Sequence, residues 1–524
     1  MRIDKNYSLS ALLFALLLLG AMTAFGAGKG QGDVKVGYVF TDETGNRAVN
    51  QETYNTYEGF GLSLNNFTYG WDNGVAFDAD LERITLNNRN LRFSAYKPGL
   101  FQISGTNNQY RRFYDADGVY FTRRQSTGLQ ANVTPSKHFK VFGGFSRIDK
   151  HGDNLTELVP IPETITFSSD YNSTSYNVGA QGFCPYGNLR VEYRTHSLTD
   201  NLSTTGDRTA NMVNISAFSS VPKVRWITVG GGYIYRQDKA DSYESTKLTT
   251  NQGWGAAKVY LPYRFAIDYQ GVAARTKQEA LGTETDNYVN TIAVGKSWKK
   301  YGGLRVGYEN RISDDLVNRS ESDGLLCSGW LKVYDFHAKG SFTLRNKDIV
   351  DGQTLVGGED YTRNTASLKY ARKGWGDLSG RWERRLRKND DINSQVDYNS
   401  ISSTMNIDRV KYGRLTVTYS YYIGKYENRS DLTGYEFSDH ILTGMFTPKS
   451  YKQFTVSAGG TYWRGRRDQN IEKFSLNFVG RYDFPHGHAL EVKYDVFNYD
   501  DYLLVNNYYT GNIVEVNLIK SISL

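Results

Sequence analysis

The connections in this chain alternate in length. Read back from the C-terminus, tight turns fall at residues 483–488, 447–451, 408–413, 373–376, 299–302, 262–263, 220–223, 184–187, 134–137 and 97–99. Between successive turns lie longer polar stretches, such as 149–170, 237–251 and 346–360. The flanking segments are about ten residues of alternating apolar and polar side chains, the length a tilted strand needs to cross a bilayer. Tight turns at one end and long loops at the other are the construction of a transmembrane antiparallel up-and-down β-barrel. A soluble sandwich or propeller has no reason to keep that parity.

The N-terminus points to export. Arg2 and Lys5 form a charged start, residues 9–19 an apolar core too short to span a membrane, and Ala24, Phe25 and Gly26 a cleavage site. Residues 1–26 therefore read as a cleaved signal peptide and 27–524 as a single barrel domain. No apolar run after the leader approaches the roughly 18 residues of a membrane helix. A mean hydropathy of −0.55 does not conflict with a membrane barrel, because half of each strand faces water. The 40 Tyr and 8 Trp suit the membrane interface, and only 9 Pro suits long paired ladders.

The sequence predicts about 26 strands, among them 33–42, 75–84, 189–196, 226–236, 265–275, 304–311, 489–499 and 513–524. An even count places both termini on the periplasmic side. In residues 513–524 apolar side chains alternate to the end, which resembles the signal read by the outer-membrane insertion machinery, although that signal usually ends in an aromatic residue and here ends in Leu524.

The polar half of each strand is charged. One face of 75–84 carries Asp78, Asp80 and Glu82; 189–196 carries Arg190, Glu192 and Arg194; 304–311 carries Arg305, Glu309 and Arg311. Arg381, Glu383 and Arg385 follow on 378–386, and Glu491, Lys493 and Asp495 on 489–499. An Arg or Lys facing lipid at the midplane costs about 2–4 kcal/mol, so these side chains are expected to line an interior. The plain reading is a lattice of salt bridges satisfying the inner wall; the sharper reading is a wall that contacts a large polar guest.

Catalytic signatures are absent: the sequence has no Gly-rich phosphate loop, no His-Glu-x-x-His and no nucleophile elbow. His486 and His488 lie close together, but a solvated turn explains them better than a metal site. Neither Cys184 nor Cys327 begins a Cys-x-x-Cys-His, so the chain attaches no haem of its own, and spacing leaves their pairing open. A net charge of +7 without a basic block gives no indication of nucleic-acid binding. No enzyme is expected.

With strand number, loop parity, Tyr richness and the stretch Tyr110-Arg111-Arg112-Phe113-Tyr114-Asp115, the chain resembles the MtrB/PioB family, the barrel component of outer-membrane porin–cytochrome conduits. Residues 28–33 hold no Cys, unlike the members with a Cys-x-x-Cys near the mature N-terminus. The resemblance implies an insulating sheath in the bacterial outer membrane for a multihaem c-type cytochrome, with outer-membrane lipid outside and haem present only through that partner. The alternative is a large open porin-like channel for passive or substrate-specific solute uptake. A loop folded into the lumen would support that alternative, and residues 149–170 are long enough to form one.

Overall fold

A computed structural model describes residues 28–524 except 158–163, 203–205, 221–223, 225, 242–245, 316–317, 353–357, 390–393, 410–411, 429–432 and 505–506. The expected leader, residues 1–26, lies outside the described residues.

The chain forms one closed sheet of 26 antiparallel strands. The first half is β1 (Gly28–Gly45), β2 (Gly59–Trp71), β3 (Ala76–Glu82), β4 (Asn90–Lys97), β5 (Phe101–Phe113), β6 (Phe121–Ser136), β7 (Phe139–Glu157), β8 (Thr164–Cys184), β9 (Gly187–Asp200), β10 (Asp207–Ser220), β11 (Ile227–Asp241), β12 (Thr246–Tyr260) and β13 (Phe265–Gln278). The second half is β14 (Thr283–Ser297), β15 (Gly302–Asp314), β16 (Asn318–Val333), β17 (Phe336–Gly352), β18 (Glu359–Arg372), β19 (Gly376–Asn389), β20 (Ser394–Arg409), β21 (Gly413–Asn428), β22 (Thr433–Pro448), β23 (Phe454–Arg467), β24 (Ile471–Phe484), β25 (His488–Asp501) and β26 (Tyr508–Ser523). Each strand pairs with the next, and β1 pairs with β26 from Gln31↔Ser523 to Gly45↔Tyr509, so the sheet closes on itself.

The expected strand number is the observed one, but the strands are longer than expected. Most run 13–19 residues, and β8 runs 21, where about ten suffice to cross a bilayer. The stretches 149–170 and 237–251, expected as loops, are mostly ladder: β7 reaches Glu157, β8 begins at Thr164, β11 reaches Asp241 and β12 begins at Thr246. Alternation of apolar and polar residues marks only the part of a strand that faces lipid. The Ser-, Thr- and Asn-rich continuations keep pairing in water without that pattern. Residues 65–71 belong to β2, which carries a bulge, and the turn to β3 is only 72–75. Asn66 takes φ 51° where β2 shifts register against both neighbours, between Asn65 and Thr68 on β1 and between Leu64 and Phe67 on β3.

Register fixes the two faces all the way round. Leu304, Val306 and Tyr308 on β15 stand opposite Ile292 and Val294 on β14 and Leu325 and Cys327 on β16. The same face carries Val191, Tyr193, Leu368, Leu442, Phe478 and Tyr494, all exposed. It forms the apolar belt. Its upper limit is marked by a recurring clasp, in which a Tyr hydroxyl donates to a polar side chain diagonally across a hairpin. Tyr193 bonds Asn211, Tyr233 bonds Asn251, Tyr269 bonds Asn290, Tyr308 bonds Asp323 and Tyr494 bonds Asn512, with Tyr419 against His440. A ring at lipid depth with its hydroxyl in a polar layer is the interfacial role of Tyr.

At the other rim, exposed aromatics occupy several of the short turns, among them Tyr186, Tyr263, Tyr301, Tyr334 and Tyr451. No helix among the described residues is long and apolar enough to cross a membrane. Cys184 ends β8 and Cys327 sits on β16; both are free.

Candidate functional site

The side chains between those of the apolar belt make the inner wall. The register puts all fifteen charges named from the sequence on this face: Asp78, Asp80 and Glu82 on β3; Arg190, Glu192 and Arg194 on β9; Arg305, Glu309 and Arg311 on β15; Arg381, Glu383 and Arg385 on β19; and Glu491, Lys493 and Asp495 on β25.

Several of them meet. Glu192, 4% exposed, is held by Arg190 at 2.8 Å and Arg194 at 3.0 Å, both on its own strand. Glu383, 5% exposed, takes Arg385 at 2.5 Å, Arg381 at 2.9 Å and Arg363 of β18 at 3.0 Å. Glu309 takes Arg311 of its own strand and Arg345 of β17, each at 2.8 Å. Arg345 reaches across β16 because Gly324 stands between them in register, and a Cβ there would lie 3.0 Å from the Arg345 Cγ. On the far wall Lys35 bridges Glu491 at 2.7 Å and Glu515 at 3.7 Å, with Arg83 on Glu515 at 3.0 Å. Asp78 and Asp80 make no ion pair among the described residues.

The signs are not distributed uniformly round the wall. Strands β12–β19 present Lys258, Arg305, Arg311, Lys332, Lys339, Arg345, Lys347, Arg363, Lys369, Arg381, Arg385 and Arg387 inward, against Asp268, Glu309, Glu359, Asp377 and Glu383. Strands β25, β26, β1, β2 and β3 present Glu491, Asp495, Asp501, Glu515, Asp33, Glu43, Asp78, Asp80 and Glu82, against Lys493, Lys29 and Lys35, with Arg83 just beyond β3 also on Glu515. Strands β4–β11 are basic too, with Arg92, Arg112, Arg124, Lys140, Lys150, Arg190, Arg194, Arg208 and Arg236 on this face against Glu192, Asp200 and Asp238. In a ring of 26 strands β1 lies half-way round from β14, so the acidic sector faces a basic wall across the ring and borders one at β4. Between them β20–β24 is largely hydroxylic, with cross-strand pairs Thr404–Thr418 at 3.1 Å and Thr443–Thr461 at 3.2 Å.

One connection leans into the mouth, and it is not the expected 149–170. Strands β3 and β4 stop short of their neighbours, leaving the upper edge of β5 unpaired, and residues 46–58 fill the notch. The Asn55 amide donates to the Gln109 carbonyl at 3.0 Å, and its oxygen accepts from the Arg111 N–H at 3.2 Å, standing in for the missing strand. The Arg111 guanidinium donates to the Tyr54 and Thr56 carbonyls at 2.9 and 2.7 Å and lies 4.0 Å over the Tyr57 ring. Asn50 and Thr53 are buried with Tyr509, whose hydroxyl donates to Glu43 at 2.8 Å, and Glu52 reaches Lys473 of β24 at 3.0 Å. Burial pushes the Tyr54 phenol above its ordinary pKa. The stretch Tyr110–Asp115 therefore has a local use, since its arginine anchors this segment. Reasoning by period could not find the segment, because nothing in residues 46–58 shows that β3 and β4 are short.

No metal-binding group of three or more His, Cys, Asp or Glu occurs among the described residues. The His486 carbonyl and His488 Nε2 both face the Lys520 ammonium, at 2.7 and 3.1 Å, an arrangement that suits a turn better than a metal.

No family model and no curated protein matches the chain. Solved structures do. The ferric enterobactin receptor of Pseudomonas aeruginosa, as a mutant in complex with enterobactin, is similar over 95% of this chain and 82% of its own, with TM-score 0.54 and 9% identity. The ferric yersiniabactin uptake receptor FyuA of Yersinia pestis is similar over 94% and 80%, with TM-score 0.53 and 10% identity. The siderophore receptor PirA of Pseudomonas aeruginosa is similar over 81% and 80%, with TM-score 0.52 and 10% identity.

The fold is that of a bacterial outer-membrane β-barrel. The comparisons correct the assignment to the MtrB/PioB family: these structural neighbours are siderophore receptors, not conduit barrels. The sheath function, the extracellular electron transfer and the multihaem cytochrome partner rested on that resemblance and fall with it.

Proposed function

We propose that the chain is a selective uptake barrel, passing a bulky polar solute across the outer membrane through its charged lumen. The observation that carries this reading is the sorting of the inner wall. A sheath that only excludes lipid needs polar residues inside, not a basic sector facing an acidic one. Segregated charge gives solutes of different sign different walls to follow, and so makes passage depend on charge as well as size. The anchored segment 46–58 narrows the mouth, which separates this barrel from a fully open porin. The fold likeness to receptors for ferric enterobactin and ferric yersiniabactin makes ferric chelates the first solutes to try.

In this reading both termini and the short turns lie in the periplasm, and the strand extensions beyond the Tyr clasps project outside. The barrel holds and passes its solute and performs no reaction on it. The test is entry into proteoliposomes of an anionic ferric chelate and a neutral oligosaccharide of equal mass. The chelate should enter faster through this barrel. Entry rates that follow size alone, or no entry of either, would contradict the proposal.

A further inference from the structure

The wall of β14–β20 contains a recess of about 850 Å³ lined by five cations of the basic sector. Its cationic lining is Arg311, Arg345, Lys347, Arg385 and Arg387, with the Tyr361 and Tyr398 rings between them. We propose that this recess is a binding site for a multivalent oxyanion, and that it selects what the lumen admits; the second clause rests on the uptake reading, the first does not.

The charges available explain the class of ligand. Arg311 and Arg345 share Glu309, Arg385 shares Glu383 with Arg363 and Arg381, and Arg387 pairs with Glu359 at 2.8 Å. These carboxylates are fewer than the guanidinium groups around them, and Lys347 has no carboxylate partner among the described residues. Positive charge therefore remains after every internal pair is made. The carboxylates also hold the guanidinium forks in place, so that their outer N–H groups are oriented before a ligand arrives. Planar forks fixed in this way suit carboxylate or phosphate oxygens, which they bind in pairs.

Distance selects a local site over a field across the bore. Barrels of 16–18 strands already enclose an aqueous channel, and this one has 26 strands. Charges across such a gap are screened in physiological salt, where the Debye length is about 8 Å. An anion therefore responds to the wall it touches, and this recess offers convergent cations on a concave surface with tyrosine rings between them. The tyrosines add flat apolar surface, with the Arg345 guanidinium 6.0 Å from the Tyr361 ring and that of Arg385 5.7 Å from Tyr398. The site thus accepts an anion carried on a larger organic body as well as a bare one.

The experiment is isothermal titration of the purified full-length barrel in neutral detergent with citrate and, separately, with pyrophosphate. Both should bind saturably, and weaken as salt is raised. Lys347→Glu and Arg387→Glu should each weaken binding by about tenfold or more, since a charge-assisted hydrogen bond contributes about 1.5–3 kcal/mol and 1.4 kcal/mol is tenfold. Lys373→Glu, the same charge change in the exposed turn between β18 and β19, should leave binding unchanged. Binding of one anion only would identify the headgroup, carboxylate or phosphate, and support the site. No saturable binding of either, or equal loss in all three variants, would overturn it. Binding that persists while proteoliposomes admit no chelate would leave the site standing and refute the uptake reading.

Discussion

At the scale of the residue, period 2 decides most of what can be known. A slip of one position would turn Arg305, Glu309 and Arg311 to lipid and Leu304, Val306 and Tyr308 inward. Val306 is 42% exposed on the apolar belt between Val294 and Cys327. Val306→Arg should cost about 2–4 kcal/mol, falling off towards the interface, and sharply reduce folded barrel in lipid vesicles, measured as heat-modifiable mobility. Arg305→Ala should be tolerated, since its pair with Asp268 at 3.4 Å is half-exposed and Lys258 also serves that carboxylate. Equal tolerance of both changes would mean that the register of β15 is wrong. Which charges share a face was thus legible in the sequence. Which ones meet was not: Glu309 and Arg345 lie two strands apart, and only register shows that Gly324 opens the path between them.

At the scale of the element, the tight turns were legible because Gly, Pro and Lys punctuate them, whereas the long connections were overestimated. Polar residues without a lipid face still pair, so β7 and β8 continue where a loop was expected. The segment 46–58 shows the opposite limit. Its position follows from the shortness of β3 and β4, and its anchor is one side chain. Arg111→Leu removes both carbonyl bonds from the guanidinium and should release the segment. Limited proteolysis should then cut between Arg47 and Glu58, and barrel conductance should rise; unchanged protection would mean that the Asn55 bonds alone hold it. Orientation is tested by short epitope insertions. A tag between Ala280 and Leu281, in the exposed connection of β13 and β14, should bind antibody on intact cells, while one between Lys299 and Lys300 should be hidden. Labelling of the second but not the first would invert the barrel.

At the scale of the whole molecule, strand number and closure follow from the parity of the connections, and the structure has both. The sorting of the wall does not follow from any window of sequence, because it depends on which strands face each other across the ring. Asp78 and Arg385 are far apart in the chain, and only closure of β1 on β26 places their sectors opposite one another. The family was not legible either: Tyr richness, strand number and a basic-aromatic stretch are properties of large barrels in general, and Arg111 shows that such a stretch can have a purely local use. The most direct measurement of the central claim is single-barrel conductance in a planar bilayer with a ferric chelate added to one side. The account predicts discrete steps, a preference for anions over cations that falls as salt is raised, and concentration-dependent block by the chelate that Lys347→Glu weakens. A steady conductance indifferent to ion sign and to the chelate would contradict it.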